Sequence, residues 1–222
     1  MTEDEWLESI GPEPMLDFLK GSLGDRKLRL FAVGCCRRVW HFLRNEQSRG
    51  AVELAEKYAD QLVTPEELEN ARSLLARRDP EPGELVFQPS YWACGTKITV
   101  HVGECTVYAR AYAALAVKYE AEDYDERREE IMLKERNQQA SLFRDIFGNP
   151  FRPVGMDPAW LTSTTKSVAA AIYAERAFDR MPILGDALED AGCTNADILN
   201  HCRQPGEHVR GCWVVDLLLD KK

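Results

Sequence analysis

The strongest constraint in this chain is a spacing. Across residues 25–45, "DRKLRLFAVGCCRRVWHFLRN", the apolar residues Leu28, Phe31, Ala32, Cys35, Val39, Phe42 and Leu43 recur three and four positions apart. A helix turning once per about 3.6 residues places such residues on one side. Leu30, Cys36 and Trp40 widen that stripe, which predicts a deeply buried helix with Asp25 as its cap. The same period recurs on both sides. Met15, Phe18 and Leu19 follow a restart at Pro14. Ser48 opens a helix with Val52, Ala55, Tyr58 and Ala59 inward and Glu53, Glu56 and Lys57 outward. "TPEELENARSLLARR" carries the clearest start signal: Thr64 as cap, Pro65 in the first helical position and Glu67 completing a capping box.

Further along, "DPEPGE", residues 79–84, reads as a loop and the best internal boundary. Alternation at Ile98, Val100 and Val102 admits a short hairpin near 96–103. Helical spacing returns at Val107, Tyr108, Ala111, Leu115 and Tyr119. The charged stretch "EAEDYDERREEIMLKERNQQ" reads as a solvated helix face, regaining apolar character at Leu142, Phe143 and Ile146 before Gly148 and Asn149-Pro150 stop it. Short helices follow after Asp157-Pro158, within "TKSVAAAIYAERAF", in "MPILGDALEDAGC" up to Gly192, from Thr194 through Ile198 and Leu199, and in the closing "HVRGCWVVDLLLD". The expected fold is mainly α: an irregular multi-helix bundle or a solenoid-like stack of helix pairs. It is read as a single helical domain over 1–222, with candidate sub-units 1–80 and 85–222.

Composition removes several function classes. A net charge of −9 disfavours a general binder of nucleic acid or anionic membrane, because phosphate affinity needs a positive surface. Locally, Arg26, Lys27, Arg29, Arg37, Arg38 and Arg44 make one helix basic. Salt bridges to a protein this acidic account for it better than nucleic acid does. The opening "MTEDEWLESI" has no basic region before an apolar run, so it is not a secretory signal. No apolar stretch approaches the roughly 20 residues that span a bilayer. Seven cysteines, an odd number with Cys35 and Cys36 adjacent, point to reduced thiols and a cytoplasmic location.

Three stretches resemble one another's counterparts in a known lineage: "DRKLRLFAVGCCRRVWHFL", "SLFRDIFGNPFRPV" with "DPAWLTST", and "AERAFDRMPILGDALEDAGC" running into "HCRQPGEHVRGCWVVDLLL". Together they resemble a family of uncharacterised proteins of the planctomycete type, present as many paralogues. The resemblance runs from about residue 3 to residue 219 and diverges over about 85–135, where such relatives carry Ala- and Trp-rich helix. It implies a helical middle segment. The family has no established activity, so no site residue is carried over.

Chemistry concentrates near the C-terminus. Cys193, Cys202, His208 and Cys212 follow C-x8-C-x5-H-x3-C, four side chains suited to a tetrahedral zinc ion. Their spacing echoes compact three-cysteine, one-histidine fingers, with the last two ligand types exchanged. The competing reading makes them core cysteines beside a loop, with Pro205-Gly206 as the turn between two helices and His208 near the start of the last one. A thiol nucleophile at Cys212 would need a cation or histidine to lower its pKa, and His208 lies four positions before it. Asp186, Glu189 and Asp190 offer carboxylates for a hard cation or for acid-base work, and read better as a solvated acidic face. No Walker loop, Gly-x-Gly-x-x-Gly turn, His-Glu-x-x-His or Gly-x-Ser-x-Gly is present. The expectations are therefore, first, a non-enzymatic helical module binding an unidentified protein partner, without a cofactor. The second is a small zinc-stabilised binding domain, and the third an enzyme with a non-standard site around His201, His208 and Cys212.

Overall fold

The computed structural model describes residues 1–43, 45–77, 93 and 124–221. Among these every regular element is a helix, so the mainly-α expectation is met. The segments at 79–84, 96–103 and 106–119 and the side chain of Arg44 lie outside the described residues. Chain contacts divide the protein into two compact units, Met1–Ala140 and Ser141–Lys222. No helix among the described residues is long and apolar enough to cross a membrane.

In the first unit, α1 (Glu3–Glu8) begins at a Thr2–Glu5 capping box and buries Trp6. Helix α2 (Glu13–Phe18) buries Met15 but leaves Phe18 exposed. Helix α3 (Asp25–Arg38) is buried nearly all round, from Arg29 through Cys36, as the widened stripe predicts. Gly24 rather than Asp25 holds its cap position, with no side-chain cap bond, and the helix ends at Arg38 before a 3-10 turn at Trp40–Phe42. Helix α4 (Glu46–Ala59) starts earlier than Ser48, because the Asn45 side chain accepts from the Gln47 and Ser48 N–H groups. Helix α5 (Pro65–Ala76) has the predicted Thr64–Glu67 capping box. Helices α3, α4 and α5 pack pairwise in chain order.

Three arginines of α3 pair with acidic side chains. Arg26 meets Asp60 at 3.2 Å and Arg37 meets Glu56 at 2.8 Å. Arg38 meets Glu135 at 2.8 Å and 3.0 Å through two nitrogens, with Gln138 also on the guanidinium. Glu56 and Glu135 are thus corrections to the sequence reading, which set both on solvated faces; arginine partners make their burial affordable in charge terms.

Helix α6 (Tyr124–Phe147) ends at Gly148, whose φ of +69° is a left-handed conformation that glycine tolerates best. In the second unit a 3-10 turn at Pro158–Trp160 leads to α7 (Ser163–Glu175), capped by Thr162. Helix α8 (Met181–Asp190) closes with a Schellman pattern: Cys193 N–H donates to Leu188 C=O and Gly192 N–H to Glu189 C=O, with Gly192 at φ +86°. Asn195, not Thr194, caps α9 (Ala196–Arg203). The last helix, α10 (Trp213–Leu218), starts after Cys212. Successive helices α7, α8, α9 and α10 pack on one another and α10 returns to α7. This unit is therefore a closed bundle rather than an open stack. Its core joins Ile172, Met181, Leu184, Leu188, Ile198, Val215 and their neighbours.

Candidate metal centre

Four donor groups converge in the second unit. The ligand atoms of Asp145, His201, His208 and Cys212 all lie within 4.8 Å of one another. Three separate segments deliver them. Asp145 sits in the last turn of α6, beside the buried Leu142, Phe143 and Ile146. His201 is in the last turn of α9. His208 and Cys212 belong to the connection between α9 and α10. Gly211, at φ +97°, turns that connection so that Cys212 N–H bonds to Val209 C=O and Cys212 precedes α10. Arg210 anchors the same connection by donating to the C=O groups of Tyr173 and Ala174 at the end of α7.

The geometry is tight. His201 Nε2 lies 3.2 Å from Cys212 Sγ and 3.1 Å from Asp145 Oδ1. His208 Nδ1 lies 2.6 Å from the same Oδ1. Asp145 Oδ2 faces the other way and accepts from Val209 N–H at 3.0 Å, which fixes the carboxylate plane. The four side chains are at most 8% exposed. His208 Nε2 is buried without a hydrogen-bond partner. A buried nitrogen with that deficit is uncommon in a finished network.

Burial pushes the Asp145 carboxyl up, but hydrogen bonds and charge from His201 and His208 outweigh it, and its pKa falls below the usual carboxylate value. Burial first, and the nearby Asp145 charge second, push the Cys212 thiol well above its ordinary value. Cys202 is pushed up to about 12, again chiefly by burial.

Zinc bond lengths of about 2.0–2.3 Å place the donors of a tetrahedral site about 3.3–3.6 Å apart. The distances of 3.1 and 3.2 Å are already close to that; the 2.6 Å His208–Asp145 contact must lengthen, and the widest pair, within 4.8 Å, needs about an ångström of contraction. One feature separates this arrangement from a cysteine–histidine–aspartate triad. A triad uses the two ring nitrogens for two different partners. Here the same Nε2 faces both the thiol and the carboxylate, as it does when all three groups aim at a common point.

Of the four residues singled out in the sequence, His208 and Cys212 enter this cluster; Cys193 and Cys202 are not among its donors. Both have packing roles. Cys193 is the buried residue that follows the Schellman turn of α8. Cys202 seats against Gly185, where an added Cβ would come within 3.0 Å of the Cys202 Cβ. His201 stood only among the enzyme candidates, and Asp145 was missed. The signal for Asp145 was a carboxylate embedded in the apolar run "LFRDIF". His208 lies in the connection before α10, not in the helix. The acidic Asp186 and Glu189 both receive Arg203, at 2.8 and 2.5 Å, so an internal cation already occupies that face. Cys35, Cys36, Cys193, Cys202 and Cys212 are all buried. Compared with known proteins, the chain matches no family model, no curated protein and no solved structure.

Proposed function

We propose that the second unit is a metal-stabilised helical binding domain, in which Asp145, His201, His208 and Cys212 hold one zinc-class divalent ion. The observation that carries this reading is the convergence of four buried donors from three segments, with His201 Nε2 facing two of them. Charge supports the valence. A carboxylate and a thiolate together neutralise a divalent cation, whereas a buried uncompensated charge is costly. Donor softness supports the class: one thiolate and two imidazoles suit zinc and its neighbours and do not suit magnesium or calcium. Four protein donors in a buried site fill a tetrahedron and leave no position for substrate, which favours a structural role over a catalytic one.

The enzyme reading around His201, His208 and Cys212 is weaker. A thiol nucleophile needs a lowered pKa, and Cys212 is pushed the other way. Slow alkylation of Cys212 in folded, metal-free protein is the expected result. The reading of a protein-interaction module draws on the first unit, where exposed Ile10 and Phe18 line an open groove of about 730 Å³ with Met1, Glu5, Glu8 and Pro14. The odd number of cysteines, with Cys35 and Cys36 adjacent, favours a reducing, cytoplasmic setting.

The test is elemental analysis of protein purified without added metal, followed by cobalt titration after chelation. About one equivalent per chain is expected, with thiolate-to-cobalt charge transfer that Cys212→Ala abolishes. Folded wild-type protein that takes up neither zinc nor cobalt refutes the reading.

A further inference from the structure

Resting on that metal reading, we propose that Gln204 is the positioning residue that selects which nitrogen of His201 is offered to the ion. His201 has two ring nitrogens with opposite surroundings. Nε2 faces Cys212 and Asp145, inside the donor cluster. Nδ1 faces away from it, 3.2 Å from the side-chain amide of Gln204, the residue that follows α9. A neutral imidazole carries its proton on one nitrogen only, and a ligating nitrogen must present a bare lone pair. Ligation through Nε2 therefore requires the proton to sit on Nδ1, and a proton there requires an acceptor.

The Gln204 amide can serve either tautomer. With its NH2 group turned to Nδ1, it donates to a bare Nδ1. The proton then stays on Nε2, which donates toward Asp145 and Cys212. In the structure it is the amide nitrogen of Gln204 that faces Nδ1, at 3.2 Å. With the amide rotated by half a turn, Oε1 accepts from Nδ1–H and Nε2 is released for metal. The exchange is proton-neutral: solvent water takes the proton from Nε2 and returns one to Nδ1. A residue that accepts from the second ring nitrogen of a ligating histidine both orients the ring and raises its basicity. Among the described residues, Gln204 is the side chain that meets Nδ1 of His201. Gln204 itself is exposed, so its substitution leaves the core of the unit intact.

The experiment uses the full chain and zinc or cobalt as the probe. Affinity is measured by chelator competition for wild type, Gln204→Leu and Gln204→Glu. The tautomer of His201 is read from long-range proton–nitrogen correlations. Gln204→Leu removes the acceptor and is expected to weaken zinc binding about 10- to 100-fold. Gln204→Glu keeps an acceptor and loses the donor. It is expected to retain or exceed wild-type affinity and to hold the proton on Nδ1 even in metal-free protein. If wild type binds the ion and Gln204→Leu binds it equally well with the same tautomer, the role of Gln204 is overturned while the metal site stands. If wild type binds no ion, the metal reading fails and this inference fails with it.

Discussion

The two units bury carboxylates in different company. In the first, Glu135, fully buried, meets the Arg38 guanidinium through both of its oxygens, and Glu56 meets Arg37. In the second, Asp145 is also buried but is met by two imidazoles and one backbone N–H, with the Cys212 thiol within 4.8 Å. A guanidinium is always charged, so an arginine–carboxylate pair is complete as it stands and has a fixed geometry. Imidazole and thiol can each give up a proton. A carboxylate among them has a charge balance that can be re-made around a cation. The contrast teaches that burial of an acid is not itself a functional sign. The chemistry of its partners is what separates a structural clamp from a ligand set.

The sharpest way to break this comparison is to remove one acid from each unit. Glu135→Gln strands the Arg38 charge in a buried setting and is expected to cost about 3–5 kcal/mol in chemical denaturation. The loss should be the same with and without zinc, and a metal-dependent loss would contradict the assignment of Glu135 to a closed pair. Next in size is the effect of the ion. Zinc at about 100 times its dissociation constant should add about 2.7 kcal/mol to the stability of the wild-type second unit, and Asp145→Asn should erase that increment. An Asp145→Asn protein that is still stabilised by zinc to the wild-type extent would remove Asp145 from the ligand set.

Smaller effects sharpen the picture of how the second unit is built. Gly148→Ala imposes a left-handed conformation on an alanine and brings its Cβ to 3.3 Å from the Trp213 ring, whose centroid is 5.1 Å from that of His201. A loss of about 1–2 kcal/mol in thermal or chemical unfolding is expected. Smallest is Cys202→Ala, which opens a cavity of one atom and should cost on the order of 1 kcal/mol. Its zinc content should stay at the wild-type value. Loss of the ion in Cys202→Ala would favour the set Cys193, Cys202, His208 and Cys212 read from spacing alone.

Much of the local architecture was legible in the residues. The capping box at Thr64 and Glu67, the stop at Gly148 with Asn149-Pro150, and the turn at Gly192 each involve groups a few positions apart. The buried run of α3 was legible because its apolar residues outnumber one face. Glu56 and Glu135 were misread because charge patterning reports what a side chain prefers, while an arginine from another helix decides where it ends up. Cys193 and Cys202 were misleading candidates for a related reason: sequence spacing carries no direction, and both side chains turn into helix packing.

By itself the sequence determined the described helices, several of their ends, and the presence of histidine and thiol near the C-terminus. These depend on period, caps and turn residues, all of which act within a few positions. Tertiary structure alone brought Asp145 to His201, His208 and Cys212, across the whole of α7, α8 and α9. Chain closure over that distance is governed by how the bundle packs, and no local pattern records which side chains will meet.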